Sequence, residues 1–447
     1  MKLNFTIRKI AEITGGTLQT KDPTRPVTSF VTDSRTVTSG DAFIALKGEK
    51  FDARQFIGQA LQQGASVIIA QQGYSGPTPD SASFVWVKDP LLALQQLAKY
   101  HRLKNTLKVA AITGSNGKST TKQMLQAMCS AAGQTVANMG NFNNQFGVPF
   151  SLLEIQPKHR YGVFELGASH PGDIAETASL AVPDVGIITN IAPSHLEFFH
   201  DLETIYRTKT ELARCLQPGG TLVYNADDEY LSRLEKEFKG KKLAFGFNAQ
   251  ADVHILETEN FAFTYKGEAY LFDVKLERHN KLNAAAACAG AIAMGIYMDH
   301  IKQGLQSFTP MPLRLERVTR GNTLFILDCY NANPFSMKTA LEILGRENSL
   351  PRIAVLGDMK ELGPSSKEYH RLVARWLLDN GVSYVFLAGP EMKYAYEKLQ
   401  DVTGLHLWYG LSAQEWKADL KKLLLKGGTC LIKASHSMHF EKLFQEI

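Results

Sequence analysis

The sequence predicts an α/β protein of three domains, the second and third built on largely parallel sheets. Three observations carry this. Short apolar runs alternate with helical patterns over most of the chain, the rhythm of a parallel sheet covered on both faces. Around Lys266-Gly267 the pattern changes to alternating residues, which reads as a hairpin and an antiparallel edge. A turn-rich stretch at 73–80 and the break at Pro310-Met311-Pro312 divide the chain into 1–80, 81–311 and 312–447. In the first segment the strand-like runs are 29–32, 42–46 and 67–70, with a helical pattern at 55–63. In the second they are 109–113, 163–166, 185–189 and 222–225, and 280–298 reads as one long helix. In the third they are 324–327, 353–356, 384–387 and 430–432. Polar residues or glycines sit at the ends of these runs: Gly114, Glu165, Asn190, Asp328, Gly357-Asp358 and Lys433. Open parallel sheets bind ligands at the carboxyl ends of their strands, so two such sheets suggest a cleft between domains.

At 447 residues the chain is too long for one core. Its composition is that of an ordinary globular protein. Cys129, Cys215, Cys288, Cys329 and Cys430 are dispersed with no C-x-x-C pair. That predicts reduced thiols in a cytoplasmic protein and excludes a disulfide or zinc framework. Lys2, Arg8, Lys9 and Glu12 interrupt the start, against a signal peptide. The longest apolar stretch, 284–298, is shorter than the ~18–20 residues of a membrane span. A net charge of +5 is poor evidence for nucleic acid, and Lys236, Lys239, Lys241 and Lys242 read as a solvated helix end.

The most informative stretch is ITGSNGKSTTK, 112–122. It follows an apolar run and precedes a helical pattern, so a strand, a glycine turn carrying Lys-Ser and a helix come in that order. This layout holds a nucleotide's phosphates: backbone N–H groups point at the anion, Lys118 reaches the terminal phosphates, and the Ser119 hydroxyl can ligate Mg²⁺. Ile112 stands where the usual P-loop has its first glycine. Glu165, at the end of the next central run, is a carboxylate that could share that Mg²⁺, which takes few carboxylates and keeps phosphates and waters. Its plain alternative is an acid at a helix start. His195 and Glu197 lie in NIAPSHLE, where a lone histidine is also an ordinary hydrogen-bonded group. Lys209 in YRTKTE becomes a metal ligand only as a carbamate, since an ammonium has no lone pair. Asn141, Asn143 and Asn144 offer neutral donors for phosphate or substrate, or simply form turns. No H-E-x-x-H and no G-x-S-x-G occurs, so a zinc peptidase and a serine hydrolase are unsupported.

Taken together these residues resemble the Mur ligase family of peptidoglycan synthesis. The family loop T-G-x-x-G-K-[ST]-T is matched by residues 113–120, E-[LM]-G by Glu165-Leu166-Gly167, H-L-[DE] by His195-Leu196-Glu197, and H-N-x-x-N-A by residues 279–284. Lys209 falls at the family's carbamylated lysine. The resemblance implies a small α/β N-terminal domain, a central P-loop ATPase domain and a Rossmann-like C-terminal domain. Three stretches, 32–56, 328–337 (D-x-Y-N-A-N) and 357–363 (GDMKELG), are similar to members that add D-alanyl-D-alanine to a UDP-N-acetylmuramoyl tripeptide. The D-N-P-R of the diaminopimelate-adding members is not found. Arg54 replaces a usual histidine, Ala434 and His436 alter a late K-G-S-R, and Glu277 stands where glycine is common.

The resemblance implies ATP and two Mg²⁺ ions as cofactors, an acyl-phosphate intermediate, and the UDP-linked tripeptide and D-Ala-D-Ala as substrates of a monomeric cytoplasmic enzyme. The phosphate loop is Gly114, Ser115, Asn116, Gly117, Lys118, Ser119 and Thr120. Lys118, His195 and Lys209 would be catalytic. Ser119 and Glu165 would hold the first Mg²⁺, and His195 and carbamylated Lys209 the second. Asn280 and Asn283 would face adenine, Arg314 the γ-phosphate and Asp328 the ribose. Ser34 and Arg35 would meet the uridine nucleotide, and Asn144 and Asn331 other parts of the substrates. The rivals are another amide ligase of the family, tripeptide-forming or folylpolyglutamate synthetase-like, and a P-loop nucleotide-binding protein that ligates nothing.

Overall fold

Four sheets organise the described residues. The computed structural model describes residues 5–48 and 52–447; Lys2 at the start and Glu49, Lys50 and Phe51 of the 32–56 stretch lie outside them. The first large sheet runs in the order Thr17–Gln19, Phe84–Val87, Val67–Gln71, Ala42–Ile44, Phe30–Val31, parallel except at its first pair. A two-stranded ribbon, Phe5–Thr6 with Pro26–Val27, lies beside it in the chain. The boundary expected at residue 80 is corrected here. Strand Phe84–Val87 pairs with Val67–Gln71, so the turn-rich 73–80 stretch is a crossover inside the first sheet.

The central sheet has nine strands. From one edge they are Glu268–Lys275, Asn260–Tyr265, Val253–Ile255, Lys241–Gly246, Thr221–Asn225, Val185–Ile188, Lys108–Thr113, Tyr161–Glu165 and Thr135–Ala137. The hairpin expected at Lys266-Gly267 is present, with both residues at positive φ (51° and 83°), as a tight two-residue turn requires. All pairs from Val253–Ile255 to Thr135–Ala137 are parallel. The chain leaves Lys108–Thr113 toward one edge and later returns to its other side, so this strand is the switch point of the sheet. A crevice opens at the carboxyl end of such a strand.

The helix expected at 280–298 is two helices, Arg278–Ala293 and Met298–Gln306. Gly295 at φ 78° turns the chain between them. Both pack on Lys118–Ala132, the helix that follows the phosphate loop. Alanines 284–287 are buried, and their small side chains let the helices approach closely. The third sheet runs Glu316–Arg320, Thr323–Asp328, Gly428–Lys433, Arg352–Gly357, Tyr384–Ala388, His406–Gly410, with a single antiparallel pair at its start. Its last strand in sequence is inserted mid-sheet, which sets Asp328 beside Lys433 in register.

A Cβ on Gly304 would lie 2.3 Å from Met128 Cα, on the helix that carries Lys118 and Ser119. Gly304→Ala is expected to lose about 1–3 kcal/mol through overpacking, measured as a lower midpoint of chemical denaturation. An unchanged midpoint would show that this helix contact does not set the position of the loop helix.

Candidate active site

The loop after Lys108–Thr113 is shaped by contacts that only glycine allows. Gly114 and Gly117 have φ of 142° and 80°, and a Cβ on Gly117 would lie 2.2 Å from Asn283 Oδ1. The Ser115 N–H donates to the Asn190 carbonyl (2.9 Å) and the Asn116 N–H to Asn190 Oδ1 (3.0 Å). The first intrahelical bond runs from the Thr121 N–H to Gly117 O, so the N–H groups before it belong to an open helix start. Lys118 Nζ folds over the loop and donates to the carbonyls of Gly114 (2.7 Å) and Ser115 (3.1 Å). Burial of this amine lowers its pKa; Glu165 acts in the opposite sense, and Arg314 adds to the lowering.

Glu165 ends its strand buried and almost wholly occupied by asparagines. Asn143 Nδ2 donates to Glu165 Oε1 at 2.8 Å, while Oε2 is buried with no partner among the described residues. Asn138 clamps the backbone beneath it: its side-chain oxygen accepts the Glu165 N–H, and its Nδ2 donates to the carbonyls of Glu165 and Phe142. Lys122 Nζ, also buried, donates to the Asn138 carbonyl at 2.9 Å. A buried carboxylate oxygen without a donor fits a cation beside the Ser119 hydroxyl, which lines the same cavity. Among the described residues no group of three or more His, Cys, Asp or Glu is placed to hold a metal ion.

One cavity of about 510 Å³ is lined by residues 115–119, Asn144, Glu165, His195, Arg314, Asp328, Asn331 and Lys433. A more apolar cavity adjoins it, lined by Thr120, Asn280, Leu282, Asn283, Phe245 and Ile191, with Arg314, Leu315, Asp328 and Phe335 from the third domain. Arg314 Nη2 donates to Ser119 Oγ at 3.0 Å, and its guanidinium stacks 4.2 Å from the Tyr330 ring centroid. Asn333 Nδ2 donates to Asn116 Oδ1 at 2.8 Å. His195, at φ 50° before the helix Leu196–Phe199, has its Nδ1 2.5 Å from Glu361 Oε2 of the third domain, although the pair is not aligned as a straight hydrogen bond. The imidazole beside it holds the Glu361 carboxyl below the usual range.

The remaining candidates are placed differently. Lys209 is buried behind this cavity, its Nζ 5.6 Å from the Phe199 ring centroid. Desolvation, reinforced by Lys118, lowers its pKa to about 7. Asn144 makes a turn: its side-chain oxygen accepts the N–H groups of Phe146 and Gly147. Asp328 is held at 2.5 Å by buried Lys433, whose Nζ also donates to the Asn331 carbonyl. Ser34 and Arg35 line a separate cleft in the first domain with Thr32, Phe56 and Gln59. The Ser34 hydroxyl donates to Gln59, and the Arg35 guanidinium clasps Asp33.

The motif reading did not assign Asn138, Lys122, Lys433, Asn333 or Glu361 a role. Lys122, Asn333, Glu361 and Lys433 lay within noted motifs; the signal for Asn138 is three-dimensional and absent from its spacing.

A glycine loop and Lys-Ser helix facing a carboxylate across a cleft closed by a second sheet define an ATP-dependent P-loop enzyme. Three matches cover most of the chain: the Mur ligase middle domain at residues 112–291, the Mur ligase glutamate ligase domain at 313–436, and the Mur ligase family catalytic domain at 26–102. The UDP-N-acetylmuramoyl-tripeptide–D-alanyl-D-alanine ligase of Escherichia coli is 34% identical over 400 residues, 87% of each chain. That of Buchnera aphidicola (Acyrthosiphon pisum) is 33% identical over 100% of this chain and 98% of its own. The crystal structure I of MurF from Acinetobacter baumannii superposes with a TM-score of 0.92 at 33% identity, covering 100% of this chain and 99% of that one. MurF ligase from Thermotoga maritima in complex with ADP gives 0.83 at 29% identity, over 94% and 96%. The chain belongs to the Mur ligase family.

Asn138→Ala leaves the backbone N–H and C=O of Glu165 without their side-chain partner. The expected cost is about 1–3 kcal/mol of stability, read from the denaturation midpoint; a neutral substitution would show that water replaces the clamp.

Proposed function

We propose that this chain is the ATP-dependent ligase that joins D-alanyl-D-alanine to the tripeptide of a UDP-N-acetylmuramoyl tripeptide in peptidoglycan precursor synthesis. The observation that carries the reading is that this chain, similar over its whole length to a ligase of this name, gathers Lys118, Ser119, Glu165 and Arg314 in one cleft. The tripeptide's terminal carboxylate attacks the γ-phosphorus, ADP leaves, and an acyl phosphate forms. The amine of D-Ala-D-Ala then attacks the acyl carbon through a tetrahedral intermediate, losing a proton and expelling phosphate.

In this reading the phosphate loop and helix start receive the β- and γ-phosphates. Lys118 exchanges its loop carbonyls for phosphate oxygens. Arg314 moves from the Ser119 hydroxyl to the γ-phosphate. Asn280 and Asn283 border the adenine side, and Asp328, at the seam of both cavities, takes the ribose. Ser119 and Glu165 would hold one Mg²⁺ and His195 with carbamylated Lys209 a second; such ions neutralise charge as one anion attacks another. Lys209 is suited to carbamylation because its buried amine is depressed to about 7. The neutral lone pair adds to CO₂ and an N–H proton leaves to solvent. The first-domain cleft around Ser34 and Arg35 is the uridine side, and Asn144 and Asn331 border the acyl and acceptor end. Free thiols suit a cytoplasmic enzyme; among the described residues no helix is long and apolar enough to cross a membrane. The cleft is complete within one chain, which suits a monomer.

The test is the protein with UDP-muramoyl tripeptides ending in lysine or diaminopimelate, ATP, Mg²⁺ and D-Ala-D-Ala. The expected result is the pentapeptide mass with one phosphate per amide. Substrate-independent ATP hydrolysis with no amide product would overturn the reading. Lys118→Ala is expected to lose about 100-fold or more in rate. Lys209→Ala is expected to be inactive and partly restored by formate or acetate; full activity without added acid removes the carbamate. Asn143→Ala, which strips Glu165 Oε1 of its donor, is expected to raise the Mg²⁺ needed for half-maximal phosphate release about 10–100-fold, by titration.

A further inference from the structure

Glu361 carries no role in the mechanism above, yet its placement is over-determined. The loop after strand Arg352–Gly357 is tied into the third domain at three points. Asp358 accepts the N–H groups of Glu391 (3.1 Å) and Met392 (3.0 Å). The Met359 N–H donates to buried His370 Nε2 at 3.1 Å, and the Lys360 N–H to Ser435 Oγ at 3.0 Å. So anchored, the loop holds Glu361 at φ 63°, a conformation that non-glycine residues adopt at a cost. Its carbonyl accepts the N–H of Glu197 from the central domain at 3.1 Å. His195, two residues earlier, is also left-handed. Both backbones are therefore fixed before the side chains meet, unlike those of a surface ion pair between mobile chains.

A carboxylate can only accept. Its oxygen 2.5 Å from Nδ1 therefore favours the proton on that nitrogen, and a neutral ring so protonated keeps its lone pair on Nε2. The ring has no other polar partner among the described residues, and it borders the phosphate-side cavity. We propose that Glu361 is the positioning residue of His195: its carboxylate fixes the imidazole as the Nδ1–H tautomer and aims the Nε2 lone pair into the phosphate cleft. The third domain thereby supplies the orienting group for a histidine of the central domain. Carboxylate–imidazole pairs of this kind set ring orientation and basicity at metal and proton-transfer sites alike.

Two arms test this, and only the second rests on the ligase reading. In the first, histidine-¹⁵N protein without metal is studied by long-range ¹H–¹⁵N correlation at about pH 8.5, above the imidazole range, with His195 assigned by its loss in His195→Ala. The wild type is expected to show Nδ1–H, and Glu361→Ala to shift toward Nε2–H. The same tautomer in both proteins, or Nε2–H in the wild type, overturns the proposal. In the second, Glu361→Ala is expected to lower kcat about 10–100-fold with the KM for ATP little changed. Glu361→Gln, whose amide oxygen still accepts, should recover most of that loss. In a His195→Ala background Glu361→Ala should cost nothing further. Wild-type kcat in Glu361→Ala, no recovery by glutamine, or an added loss of about tenfold in that background would each reject it. Absence of pentapeptide from the wild type would instead reject the ligase reading and leave the tautomer arm standing.

Discussion

Cations that help a loop's backbone N–H groups grip a polyphosphate are partly drawn out of water, and a buried cation without an acceptor is costly. This constraint shapes the cleft. Lys118 rests on two loop carbonyls, Arg314 on a hydroxyl and an aromatic face, and Lys433 on Asp328 and a carbonyl. Lys118 and Arg314 are satisfied by neutral groups, so an anion entering the cleft exchanges weak partners for charged ones, while Lys433 is already paired with a carboxylate. Lys209 is the exception. It has a depressed pKa and a phenyl ring beside it, so its easiest response to burial is to give up its proton.

The same constraint explains why the site spans two sheets. Residues from the switch-point strand supply the loop, but Arg314, Asn333 and Glu361 reach it from the third domain. Each makes a side-chain contact with the central domain whose partner is itself at the phosphate end. Seating the third domain and finishing the site are one event in structural terms, as expected where closure excludes water from a transferring phosphoryl group. Behind the loop, the alanine-faced helix Arg278–Ala293 and its neighbour Met298–Gln306 press on Lys118–Ala132 from the core side, so the loop helix has a fixed seat.

The sequence made the strand rhythm, the hairpin and the phosphate loop legible because each depends on a local signal: apolar periodicity, a Lys-Gly turn, a glycine-Lys-Ser run. It misplaced the first boundary, since 73–80 has the composition of a linker whether it joins domains or two strands of one sheet. It joined two helices into one, because a single glycine in an alanine-rich stretch is a weak stop beside the dihedral that Gly295 adopts. Within the site, Lys118, Ser119, Glu165, His195 and Arg314 were named from spacing and resemblance and meet in one cavity. Asn138 was invisible, and Lys122, though inside the loop motif, was given no role. Their work is to hold the strand end that carries Glu165, and nothing in an asparagine's neighbours along the chain reports a partner 27 residues away. Asn143 was read as a turn former or a neutral donor to phosphate or substrate, and its amide is spent on the Glu165 carboxylate.

Arg54, read from the resemblance as replacing a histidine, illustrates how a departure can be absorbed locally. Asp52 caps the turn Ala53–Phe56 by accepting the Arg54 N–H, and the Arg54 Nε and Nη2 close on the same carboxylate at 2.9 and 2.5 Å. Asp33 and Arg35 make the identical clasp at the turn Ser34–Thr36, with Nε and Nη2 at 2.9 and 2.6 Å. In both, the guanidinium's hydrogen bonds hold the aspartate well down, to about 2. An imidazole could not make that two-pronged contact, because its two nitrogens diverge. The arginine therefore spends much of its charge inside its own turn. The first domain thus carries two copies of one device: Asp33 and Arg35 line the cleft, while Asp52 and Arg54 brace the turn that carries Phe56 to it.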